Sequence, residues 1–99
     1  MADAKPPCPQ GDLDNLAEQL ESVSGDKDRV RLVKTAAGNF TFTCEQVARL
    51  VKIQRSGDAQ TQTAIVLYKA VSDKEHFDTV LAEYKWDEDK EQIRKECGL

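Results

Sequence analysis

The stretch Phe40-Thr41-Phe42-Thr43-Cys44-Glu45-Gln46-Val47 constrains this chain more than any other. Thr43 has the side chain of a helix N-cap. Gln46, three residues on, is the reciprocal partner of a capping box, so two otherwise orphaned backbone N–H groups are satisfied. Phe42 before the cap and Val47 at the fourth helical position have the spacing of a hydrophobic staple, which sets the angle of entry into the helix. Gly38-Asn39 upstream tolerates a left-handed backbone and suits the stop of a preceding helix. One helix ending and another beginning within about five residues is a helical hairpin corner.

Apolar spacing extends the same reading along the chain. After Asp12, a candidate N-cap, Leu13, Leu16, Ala17, Leu20 and Val23 form one stripe of period 3.6. A second helix, capped by Ser24 or Asp26, carries Val30, Leu32, Val33, Ala36 and Ala37 over a wide arc, which predicts a place between neighbours rather than at an edge. A third runs from Cys44 through Val47, Leu50, Val51 and Ile53 to Arg55-Ser56-Gly57, with Arg49, Lys52 and Arg55 suited to its negative pole. The fourth, from about Asp58, holds the longest apolar run, Ala64 to Tyr68 with Val71, and is expected at the core centre. Residues 64–68 have the β-branched content of a strand, but no second such run exists to pair with them. Ser72-Asp73-Lys74-Glu75 reads as a second capping box, opening a fifth helix with Phe77, Val80, Leu81 and Tyr84 inward. Trp86-Asp87-Glu88-Asp89 then turns into a last helix, with Ile93 and Cys97 inward and Gly98 as its stop. Ser24-Gly25-Asp26 recurs as Ser56-Gly57-Asp58, and Trp86-Asp87 opens the last helix, a spacing of about thirty residues that matches one helical hairpin. The expected fold is all-α: about six short helices arranged as stacked helical hairpins in one compact domain over residues 12–99. Residues 1–11, where three prolines and a glycine fall within six positions, are expected to be a disordered tail.

Composition excludes several functions. The 99 residues carry a net charge of −4, which argues against nucleic acid or an anionic membrane as the main partner. Arg29, Arg31 and Lys34 cluster beside Lys27, yet aspartates at 26 and 28 flank them, and a solvated helix face is the simpler account. No apolar run approaches a membrane span and the N-terminus lacks a signal-peptide core, so a cytoplasmic location is expected. Cys8, Cys44 and Cys97 are too widely spaced for a disulfide framework, and one histidine without a close cysteine pair does not make a zinc site. Asn39-Phe40-Thr41 is a glycosylation sequon, relevant only to a secreted chain.

Asp28-Arg29-Val30-Arg31-Leu32-Val33-Lys34-Thr35-Ala36, then Asn39, then Phe42-Thr43-Cys44-Glu45-Gln46-Val47 resembles the signature of domain of unknown function 4476. Tyr68-Lys69-Ala70-Val71-Ser72-Asp73 with Phe77 is similar to a later segment of that family. Ala59-Gln60-Thr61-Gln62 departs from it, where the family tends to repeat an Asp-Arg-Leu pattern. The resemblance spans roughly residues 12–97 and implies an all-helical module with no assigned activity and no catalytic residue.

No constellation for catalysis is legible. His76 has Asp73 three residues back, a local ion pair without a nucleophile placed to use it. Asp87-Glu88-Asp89 and Asp26-Lys27-Asp28 offer carboxylates but no calcium loop, and no phosphate-binding glycine motif is present. No cofactor and no enzymatic activity are expected. The expected function is a small protein–protein interaction module whose partner is another protein, with neither nucleic acid nor membrane as a target. A self-assembling, death-fold-like six-helix bundle and a carrier of a small apolar ligand are the alternatives. Candidate interaction residues are Tyr84 and Trp86 at a helix junction, and Arg29 and Arg31. Against that role, a lone tryptophan is the natural residue to close the bottom of the core, and the Asp28–Arg29 pair to be solvated.

Overall fold

Short amphipathic segments separated by polar corners can bury their apolar stripes only on one another, and here they do so in pairs. The computed structural model describes residues 5–54 and 56–99. These form α1 (Gln10–Ser22), α2 (Asp26–Asn39), α3 (Cys44–Ile53), α4 (Gly57–Tyr68), a 3₁₀ turn (Lys74–His76), α5 (Asp78–Leu81) and α6 (Asp87–Cys97). Helix α1 packs on α3 and α3 on α5, while α2 packs on α4 and α4 on α6. Successive hairpins therefore stack, with odd helices in one layer and even helices in the other. The even helices open at Asp26, Gly57 and Asp87, so the period of about thirty residues is the hairpin repeat. The thin dimension of the molecule, 18 Å against 34 and 33 Å, is that of two helix layers.

The core follows the predicted stripes. Leu13, Leu16, Leu20, Val33, Phe42, Val47, Leu50, Val51, Ala64, Leu67, Phe77, Val80 and Ile93 share one buried cluster. Helix α4 touches α2, α3 and α6, which makes it the centre expected from its apolar run. Its Ala59, Thr61 and Thr63 are buried as well, a feature no hydrophobic pattern marks. Helix α2 lies between α1 and α4, but only Val33 and Arg29 are fully buried; Leu32, Ala36 and Ala37 are half-buried.

The Phe40–Val47 corner is built as its sequence requires. Thr43 Oγ1 accepts the Gln46 N–H and Gln46 Oε1 accepts the Thr43 N–H, at 3.2 and 3.0 Å. Phe42 and Val47 are both buried. The corner is also threaded between two extended segments through parallel bridges, Pro7 with Thr41 and Phe42 with Val71. No strand forms among the described residues.

Several local expectations are corrected. Residues 5–11 are not a free tail: the Thr41 N–H donates to Pro6 O, the Cys8 N–H donates to Thr41 O, Cys8 is buried, and Gln10 and Gly11 already belong to α1. Residues 1–4 lie outside the described residues. Asp12 consequently sits within the first turn of α1, whose N-cap is Pro9, and α2 is capped by Gly25 rather than by Ser24 or Asp26. Gly38 and Asn39 remain helical, and among the described residues the only left-handed one is Gly98, which ends α6 as expected. Asp73 makes no local cap, because its carboxylate turns to α3 and accepts the Cys44 N–H at 2.9 Å. The fifth helix therefore begins as a 3₁₀ turn, although Phe77, Val80, Leu81 and Tyr84 are buried as predicted. Arg55, assigned to the end of α3, is outside the described residues.

Candidate docking surface

The four residues singled out as interaction candidates lie in three different environments. Arg29 is 1% exposed, not solvated. Its Nε–H donates to Leu20 O and Val23 O at 3.0 and 2.8 Å, where α1 ends without a basic residue of its own in the last turn. Arg29 thus supplies from α2 the positive charge and the donor that a helix C-terminus lacks. Asp26 Oδ1 stands 3.8 Å from its Nη1, and Asp26 Oδ2 accepts the Ser56 hydroxyl at 2.9 Å. Ser56 Oγ also accepts the Ala59 N–H, capping α4. The two Ser-Gly-Asp tripeptides are therefore in contact, and this network ties α1, α2 and α4. Arg29 belongs to the fold.

Arg31 is exposed and lines an open groove of about 350 Å³ between α2 and α4, with Lys27 and Lys34 on the same side. Asp26 and Asp58, at the helix N-termini, line the groove as well. The mixture of signs leaves no strong field for an anion.

Tyr84 is buried, and its hydroxyl donates to Gln60 O in α4. Burial first, and then the charges of Asp89 and Cys97, push its phenol far above the usual range, so it remains a neutral donor. Trp86, two residues on, is 66% exposed and does not close the core. It occupies the N-cap position of α6, where Gly25 and Ser56 stand in α2 and α4, and its side chain caps nothing. Trp86 and Tyr84, with Gly57, Gln60, Glu83, Lys85 and Asp89, line a cleft of about 320 Å³ between the opening of α4 and that of α6. Sequence reading missed Gly57, Gln60, Glu83, Lys85 and Asp89. The thirty-residue period was the one signal that could have set the opening of α4 beside that of α6.

Neither the thiols nor the histidine lines this cleft. Burial raises the Cys8, Cys44 and Cys97 thiols above their ordinary value, Cys44 to about 12, where the hydrogen bond to Asp73 adds to the effect. Thiols held protonated in this way are poor nucleophiles. His76 is exposed, with Glu75 rather than Asp73 nearest, at 4.0 Å. Among the described residues, no group of three His, Cys, Asp or Glu side chains is placed to hold a metal ion, and no helix is long and apolar enough to cross a membrane.

These features define a stack of three helical hairpins with an exposed aromatic corner. The chain belongs to the family described as Domain of unknown function (DUF4476), whose model matches residues 7–97. No curated protein and no solved structure matches it.

Proposed function

We propose that this chain is a non-enzymatic protein–protein interaction module that receives another protein at the α4–α6 corner around Trp86. The observation that supports this reading is the placement of Trp86. An N-cap occupied by Ser, Thr, Asp or Asn contributes about 1 kcal/mol to a helix, and Trp86 forgoes that contribution without entering the core. A large aromatic residue that serves neither cap nor core, fixed beside a buried and hydrogen-bonded Tyr84, has the properties of an interface anchor. The cleft beside it gives a partner side chain a concave seat.

The test compares proteins retained from a lysate of the native source by the parent chain, by Trp86→Ala and by Arg31→Ala, followed by direct titration of each purified candidate. The reading requires partners that bind the parent and Arg31→Ala equally and lose at least about tenfold in affinity with Trp86→Ala, the loss expected of an anchor worth about 1.4 kcal/mol or more. Partners that bind all three chains alike would overturn it.

A further inference from the structure

The two ends of the stack differ in chemistry. At the last hairpin, α6 shows solvent Asp87, Glu88, Glu91, Arg94, Lys95 and Glu96, and Gln92 is its only exposed uncharged side chain. A charged outer face of this kind is how a stack of repeats ends against water. The first hairpin lacks one. A trough runs along the crevice between α1 and α2, made of two adjoining cavities of about 190 and 610 Å³ that share Asn15, Gln19 and Leu32. Among the described residues, none from α3 to α6 lines it, so it is the outer face of the stack, where a further hairpin would pack. Leu32, Ala36 and Phe40 lie half-buried along it. Beside them stand the exposed, neutral side chains of Asn15, Gln19, Thr35 and Asn39. Asp12 and Glu18 are the only charged lining residues among those described, in a chain of which 32% is charged. Depletion of charge around apolar side chains is the compositional mark of an interface centre.

We propose that this face binds a second copy of the chain, first hairpin to first hairpin about a two-fold axis. Two features select that occupant. The amides of Asn15, Gln19 and Asn39 and the hydroxyl of Thr35 each donate and accept, so a face carrying them complements its own copy, which a face of one charge could not. Head-to-tail stacking would instead set Leu32 and Phe40 against the charged face of α6 and desolvate it, so the pairing closes at two chains. Size sets the strength. Helices α1 and α2, of 13 and 14 residues, present a footprint about 20 Å square. Two such footprints bury roughly 800 Å², the range of a transient dimer rather than an obligate one. The cleft at Trp86 shares no residue with this face and stays free on each copy.

Sedimentation equilibrium of the full chain tests this. The weight-average mass should rise from one chain towards two, and no further, between about 20 μM and 2 mM, the range of a weak contact of this size. The affinity should hold or strengthen as salt is raised from roughly 0.05 to 0.5 M, since each copy carries −4 and screening weakens their repulsion. The paired variant Asn15→Lys, Gln19→Lys and its counterpart Asn15→Asp, Gln19→Glu place like charges on facing surfaces. Each should lose about tenfold or more in self-association while keeping the parent's circular dichroism, because both positions are exposed. An equimolar mixture of the two should regain the dimer, which a merely structural defect would not. Should either pair perturb the fold, Thr35→Lys and Thr35→Glu take their place. Trp86→Ala should dimerise as the parent does, so this proposal and the Trp86 reading fail separately. A chain monomeric throughout the range, a mass climbing past two chains, or a dimer that the charged variants leave intact would overturn the proposal.

Discussion

Arg29 and Trp86 stand near the N-terminal ends of the first and last even helices, and each does the opposite of what its side chain suggests. The arginine is interior, spent on closing α1 and linking the first two hairpins. The tryptophan is exterior and contributes no packing of comparable depth. The difference shows how a stack of short helices divides its charges and rings. Where one helix ends against the start of another, orphaned carbonyls make a buried cation worthwhile; where the last hairpin opens to solvent, nothing in the fold calls for an indole.

The largest effect should come from breaking the Arg29 corner. Arg29→Ala should cost about 3–5 kcal/mol in urea unfolding, because it removes the charge and leaves two buried carbonyls without their donor. Arg29→Lys should recover less than half of that, since an ammonium cannot reproduce the fixed guanidinium geometry. A loss below about 1 kcal/mol for Arg29→Ala would remove the distinction between the two corners.

Asp73→Asn should be milder, about 1 kcal/mol, through a weaker bond to the first N–H of α3. The neighbouring Cys44 gives this contact a pH signature. Its thiol pKa is raised on folding from 9.0 to about 12, so the folded state favours the protonated form. The associated stability is fully present below pH 9 and declines as pH rises from about 9 towards about 12. Cys44→Ala should flatten that decline in unfolding curves measured across the alkaline range. In the native chain, alkylation at neutral pH should modify half-buried Cys97 before buried Cys44, as peptide mapping would show.

The smallest stability effects belong at Trp86. Trp86→Ala should leave stability within about 0.5 kcal/mol of the parent, the ordinary range for a surface position. In the parent, acrylamide should quench Trp86 nearly as well in buffer as in urea; strong protection in buffer would place the ring in a core.

Helix positions were legible because each stripe has its own period and each boundary its own local polar residues. The capping box at Thr43 and Gln46, the stop at Gly98 and the central place of α4 all rest on neighbours within a few residues. What was not legible involves partners across hairpins. Asp73 caps a helix that begins 29 residues earlier and the Ser72 hydroxyl donates to Phe42 O, so the local box spelled by Ser72 and Glu75 never forms. Arg29 reads as a surface charge beside Asp28 until α1 turns its last carbonyls towards it. The proline-rich start reads as a tail until the edge of Thr41 offers it backbone partners. Of the candidate surface, Tyr84 and Trp86 were found by residue type alone, with their burial reversed for Trp86. Gln60 and Glu83 reach the cleft only through hairpin stacking.

The most direct test of the claim that Trp86 is kept for binding rather than for folding is urea unfolding of Trp86→Ser, followed by circular dichroism. A serine restores a capping side chain to α6, so stability should equal the parent's or exceed it by up to about 1 kcal/mol. A loss of about 3 kcal/mol or more, the cost of deleting a core aromatic, would contradict the account.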